Sequence, residues 1–212
     1  MRTLMAVSFT ALTTILIAAG PSRLDSPKNF EPPEISRLDE CIQVRFLATK
    51  TFGMSRVLPR GFHGIRMFQP ENETERAVVS QLKQKGYEVA FYLAGRNTLT
   101  PSAATDILRR SLVQGPAYIT PLHEEQLPNA AALLADSRDA LISFETSGGY
   151  DIRKAGWTVA MRPLRASNET CVQCHIVGPG SAGSQLLGVP SQLKIGDPLG
   201  VAMYVYRQSN GN

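Results

Sequence analysis

Cys171, Cys174 and His175 stand in the order C-x-x-C-H inside "ETCVQCHIVGPG", residues 169–180. Two thiols at this spacing can add to the two vinyl groups of a haem as thioethers. The histidine that follows reaches the iron from the same short segment, and C-x-x-C-H is the attachment signature of c-type haem. Three other chemistries use a C-x-x-C pair. A redox dithiol sits at a helix start in a βαβ setting, a zinc site needs further ligands, and a disulfide needs only the two cysteines. The chain shows neither a βαβ pattern around the motif nor a second C-x-x-C or an H-x-x-x-H. One covalent haem c is therefore the expected cofactor, with Cys171 and Cys174 attaching it and His175 as an iron ligand.

The opposite face of the iron has several candidates: Cys41, His63, His123, Met54, Met67, Met161 and Met203. His63 in "RGFHGIR" and His123 in "TPLHEEQLP" read as loop residues, and a lone loop histidine is more often a surface group than a ligand. Each methionine is more often core packing. Cys41 differs because three cysteines is an odd number: a Cys171–Cys174 disulfide would strand it. The ordinary alternative for Cys41 is an inert buried thiol that packs as a small hydrophobe. Arg162 and Arg165 precede the motif closely and are candidates to pair with haem propionates, or else are strand-edge charges.

Several segments carry the patterns of elements able to position these groups. A helix is expected from near Glu34, after Pro32 and Pro33, with Ile35, Leu38 and Ile42 on one face. Cys41, Val44 and Ala48 continue a neighbouring stripe, which points Cys41 toward the core. A second helix runs near Glu75 to Lys85 and stops at Gly86. A third begins at Pro101 behind Thr100 and ends near Gly115. Strands are expected over 87–94, 156–164 and 200–207, rich in β-branched and aromatic residues. "ETSGGYD", 145–151, reads as a turn between extended segments. Helices come early and strands late, which favours an α+β domain with an antiparallel sheet.

The 212 residues suit one domain, and 43% apolar with 19% charged residues excludes a disordered chain. The formal charge of +4 is scattered, with no basic block of the kind that binds nucleic acid. Arg2 followed by an uncharged, mostly apolar run over residues 4–19 has the pattern of a secretory signal or an N-terminal membrane anchor. The expected organisation is a signal or anchor over 1–20, a linker over 21–33, a haem domain over 34–208 and a tail over 209–212. The expected location is periplasmic or otherwise extracytoplasmic. Asn72-Glu-Thr74 and Asn168-Glu-Thr170 match the glycosylation acceptor pattern, a weak signal.

The C-terminal part resembles a specific family. "AMRPLRASNETCVQCH", then a glycine-rich loop, then "LKIGDPLGVAMYVY" is similar to the single-haem c-type proteins with a PAS-like fold, long catalogued as a domain of unknown function. The Arg162-Pro163 strand, the C-x-x-C-H motif and the K-x-G-D-x-x-G turn at Lys194 to Gly200 carry the resemblance, which covers roughly residues 34–207. It implies a PAS-like antiparallel sheet with N-terminal helices, and Cys41 as the iron ligand opposite His175. A thiolate ligand stabilises the ferric state and lowers the reduction potential. On reduction it can protonate and leave, opening a position for a diatomic gas. The expected role is redox or gas sensing for a separate redox or signalling protein partner, with low-potential electron transfer by fixed six-coordinate iron as the alternative. No enzyme activity is expected: no residue set specifies a distal acid–base group.

Overall fold

The computed structural model describes residues 31–49, 53–58, 66–96, 113–123, 126–175 and 193–209, with the backbone alone at 53 and 173–175. The chain divides into two units, Met1–Glu31 and Pro32–Asn212, and the second carries all the described elements. The expected signal or anchor segment lies outside the described residues.

Pro33 opens helix α1, Pro33–Ala48, where a missing N–H costs nothing because the first turn has no partner for it. Ile35, Leu38 and Ile42 are fully buried on its inner face. Each contributes about 1.5–3 kcal/mol by leaving water. The expected neighbouring stripe is corrected. Cys41 is half-buried, Val44 is 62% exposed and Ala48 is exposed. The buried face continues instead to Arg45, whose guanidinium is held by Glu75 on the next helix.

A short 3-10 turn, Gly53–Arg56, leads toward helix α2, Glu73–Gln84. Asn72 caps α2 by accepting from the Glu75 backbone N–H at 2.9 Å. Gly86, at φ +69°, ends it in the left-handed region that favours glycine.

Strands β1 (Tyr87–Gly95), β2 (Val113–Tyr118), β3 (Tyr150–Lys154), β4 (Trp157–Arg165) and β5 (Pro198–Gln208) form one sheet in the order β2-β1-β5-β4-β3. Every pairing is antiparallel. The α+β reading with an antiparallel sheet holds. The central strand β5 is flanked on both sides and covered on both faces, so it reads as a near-continuous apolar run.

The period of two divides the sheet cleanly. Val89, Phe91, Leu93, Ala160, Ala202 and Tyr204 pack with α1 and α2 on one face. Ala90, Tyr92, Val159, Met161, Val201 and Met203 pack with helix α3, Ala130–Ser143, on the other.

Helix α3 and strand β2 depart from the sequence expectations. The helix expected to end near Gly115 cannot do so, because Val113 and Gln114 pair with Ala94 and Leu93 in the sheet. Residues 97–112, where that helix was to lie, are outside the described residues. The turn at 145–151 is present, but a helix precedes it, not a strand. Helices and strands therefore interleave along the chain. Among the described residues no helix is long and apolar enough to cross a membrane.

Candidate functional site

β4 runs out of the sheet through Ala166 into helix α4, Glu169–His175, the carrier of C-x-x-C-H. Positions three and four apart on a helix lie on one face, so positions 171, 174 and 175 share a face of α4. That juxtaposition is what one planar cofactor requires of two attachment points and a ligand.

The start of α4 is fixed from two directions. Asn168 Oδ1 accepts from the Cys171 N–H at 3.0 Å. The K-x-G-D turn is stitched to the residue just after β4: Ala166 N–H donates to the Asp197 carbonyl at 2.9 Å, and Gly196 N–H donates to the Ala166 carbonyl at 2.8 Å. Asp197 closes that turn by accepting from the Lys194 N–H at 2.8 Å, with Gly196 at φ +96°. Beneath α4, Ala166, Val172 and Leu193 form a small buried cluster against which Cys171 and Leu199 pack. The turn read from the sequence thus supports the motif helix. Both asparagines of the glycosylation-like triplets, Asn72 and Asn168, accept a backbone N–H at a helix start.

Cys41 and Cys171 carry free thiols in different environments. Partial burial raises the Cys171 thiol. Hydrogen bonds from the backbone and hydroxyl of Ser167 and from Asn168, with the charge of Arg56, outweigh it and hold the thiol below its ordinary range. The Ser167 hydroxyl lies 3.6 Å from the sulfur. Cys41 moves the other way: burial pushes its thiol up, Glu75 and Glu40 add to that, and Arg45 opposes them. The thiolate is the nucleophile. Iodoacetamide at pH 7.5 is therefore expected to label Cys171 of the haem-free chain several-fold faster than Cys41, read by peptide mass spectrometry. Equal rates would mean that the two surroundings do not differ as described.

On α1, Val44 and Leu47 follow Cys41 by three and six residues and are 62% and 63% exposed. They form an apolar strip beside the thiol. Two contacts relate α1 to the motif end of the sheet. Gln43 Nε2 donates to the Pro163 carbonyl on β4 at 3.3 Å. Arg56 donates to the Phe46 carbonyl, lies 5.3 Å from the Phe46 ring, and is the cation whose charge reaches Cys171.

The other ligand candidates are spread elsewhere. Met161 and Met203 are fully buried on the α3 face, away from α1, and the Met203 sulfur lies 3.0 Å from the Ser137 hydroxyl. Met54 packs against the α1 core, Met67 bridges Tyr118, and His123 is exposed. His63 lies outside the described residues. Arg162 Nη1 pairs with Asp151 at 2.6 Å across the β3–β4 ladder. Arg165 donates to the carbonyls of Gly196 and Phe144 at 2.9 and 3.0 Å, tying α3 to the K-x-G-D turn.

One acidic residue near the site escaped the sequence reading. Asp39, a turn before Gln43, accepts from the Tyr204 hydroxyl at 2.8 Å. Burial pushes its carboxyl upward, while Tyr204, Gln43 and Arg162 pull it back in part. An Asp beside a Glu on an amphipathic helix carries no signal that a buried tyrosine will reach it.

Among the described residues no group of three His, Cys, Asp or Glu side chains is arranged to hold a metal ion. No family model, curated protein or solved structure matches the chain.

Proposed function

We propose that this protein is an exported single-haem c-type protein with a PAS-like domain that acts in redox or gas sensing through a haem ligated by His175 and Cys41. The observation that carries the reading is the C-x-x-C-H sequence on one face of α4, at the end of a five-stranded antiparallel sheet that is compatible with a PAS-like fold.

The residues present fit a haem. A porphyrin needs apolar surface, and Val44 and Leu47 offer exposed apolar side chains on the helix that carries Cys41. The donor set is one imidazole and one thiolate, both established haem ligands. When bound, haem supplies one-electron redox chemistry and, where a ligand leaves, a position for a diatomic gas.

The remaining steps belong to the chain. Cys171 and Cys174 hold the cofactor covalently, as suits a protein outside the cytoplasm, and His175 follows them on the same helix face. Cys41 approaches from α1. Burial, Glu75 and Glu40 all favour its protonated thiol. With a haem bound, Cys41 would hold the iron as a thiolate, in surroundings that favour return of a proton to its sulfur. This property favours a ligand that leaves on reduction over a fixed six-coordinate carrier. The signal would pass to a separate redox or signalling protein.

The test begins with attachment. The full chain, co-expressed with a cytochrome c maturation system, is expected to retain one haem through denaturing electrophoresis, with the mass of the chain raised by one haem. Cys171→Ser with Cys174→Ser should lose all of it. A native chain that holds no covalent haem would sink the reading.

A further inference from the structure

We infer that Tyr204, Asp39 and Gln43 form a positioning network that sets Cys41 against the motif helix. The inference rests on the reading of Cys41 as the ligand opposite His175, and it concerns how that ligand is held.

Asp39 stands two residues before Cys41 on α1, and Gln43 two residues after it. Tyr204, fully buried on the central strand, donates from Oη to Asp39 Oδ1 at 2.8 Å. Gln43 Nε2 donates to the same oxygen at 3.2 Å and to the Pro163 carbonyl at 3.3 Å. The helix is thus fastened to β5 and β4 through two residues one turn apart, which stand before and after Cys41 in the chain and on the other side of the helix from it. Pro163 precedes Cys171 on the strand that runs directly into α4. Both sides of the proposed haem site are therefore referenced to one strand.

Packing alone would not give this precision. Ile35, Leu38 and Ile42 hold α1 to the sheet by apolar burial, which is non-directional and tolerates sliding and rolling. Hydrogen bonds are directional, and two of them one turn apart fix the height and the rotation of the helix, and with it the place of Cys41. The phenol is itself held, with the Phe91 ring 5.3 Å away between centroids and tilted by 53°. A carboxylate and a buried phenol are a costly way to join a helix to a sheet where two apolar side chains would serve. What the polar pair adds is a defined position. A ligand left about 1 Å loose fails to hold its partner.

The experiment uses the haem-loaded full chain in its ferric state, with electron paramagnetic resonance and reduction potential as readouts. Gln43→Met removes one anchor without touching the buried core, and Tyr204→Phe removes the other. Asp39→Asn keeps an acceptor oxygen for Tyr204 and serves as the conservative rescue, while Asp39→Ala does not. The expected result is a ratio of low-spin thiolate-ligated to unligated protein that falls about fivefold in Gln43→Met, Tyr204→Phe and Asp39→Ala, the factor set by one ordinary hydrogen bond. The potential rises with it, and Asp39→Asn stays near the native protein. A native protein with no thiolate signal overturns the ligand reading and this inference together. A native thiolate signal that Gln43→Met and Asp39→Ala leave unchanged overturns this inference alone.

Discussion

Cys41→Ala in the haem-loaded protein is expected to abolish a low-spin thiolate signal and to raise the reduction potential by about 0.1–0.2 V, a modest part of the ~0.8 V that axial ligands span. The sign follows from charge. A thiolate donates density to iron and stabilises its ferric form, so removing it makes reduction easier. The position makes the experiment clean. Cys41 is half-buried beside exposed Val44 and Leu47, so truncating it removes little core packing. A fall in folding yield would not confuse the result. The pH dependence has a fixed direction as well. Burial, Glu75 and Glu40 raise the Cys41 thiol, so acidification should weaken the thiolate signal and carbon monoxide should then bind the reduced protein more readily. A His/Met or bis-histidine signal that survives Cys41→Ala would make Cys41 a packing residue and the protein an electron carrier. Met161 and Met203 would not be the replacement ligands without repacking of the α3 face, where both are fully buried.

The site's parts were unequally legible in the sequence. C-x-x-C-H could be read because its chemistry depends on spacing within five residues, and a short helix converts that spacing into one face. The K-x-G-D turn was legible for a similar reason: a glycine at positive φ and an aspartate three residues from its N–H partner are local. The three strands around the centre of the sheet declared themselves by β-branched and aromatic runs. Strand β2 did not, because "VQGPAY" carries a glycine and a proline that speak for a turn, and its place is decided by the neighbour β1. Helix α3 was missed for lack of contrast. "AAALLADSRDALIS" mixes small apolar and small polar residues, and buried Ser137 satisfies its hydroxyl on the Leu133 carbonyl one turn back. Tertiary partners also decided α1. The apolar stripe suggested that Cys41 and Val44 would turn inward, yet the helix rotates to bury Arg45, because a carboxylate from α2 awaits it. That rotation leaves Cys41 half-buried at the edge of the core.

Arg45→Met is expected to destabilise the fold by about 3–5 kcal/mol at pH 7, the cost of leaving one member of a buried ion pair alone. Arg45 Nε donates to Glu75 Oε1 at 2.8 Å and Nη2 to Oε2 at 2.5 Å, with both side chains almost wholly buried. The same guanidinium donates to the carbonyls of Gln69 and Val57 at 2.6 and 3.3 Å and lies 4.4 Å from the Phe68 ring. One side chain thereby joins α1 to α2 and to the segments between them. For a chain of this size the loss corresponds to a fall in Tm of about 10 °C. Arg45→Met with Glu75→Met should recover most of it, because an apolar pair of similar volume avoids burying charge. The acid response separates this account from simple loss of packing. Burial raises the Glu75 carboxyl, but the bonds from Arg45 and the Glu71 N–H outweigh it and hold the carboxyl below its usual range. The stability it contributes is complete above the unfolded carboxylate value and is lost as pH falls through the depressed folded one. In Arg45→Met burial prevails and the orphaned carboxyl takes up a proton readily. The gap between native and variant should therefore begin to narrow as pH falls toward the unfolded carboxylate value, about 4.3, and go on narrowing below it. Urea denaturation of the native, single and double variants at neutral and acid pH measures all of this. A single variant within about 1 kcal/mol of native at pH 7 would show that the Arg45–Glu75 pair does not anchor α1, and the positioning of Cys41 would then rest on the contacts to β4 and β5 alone.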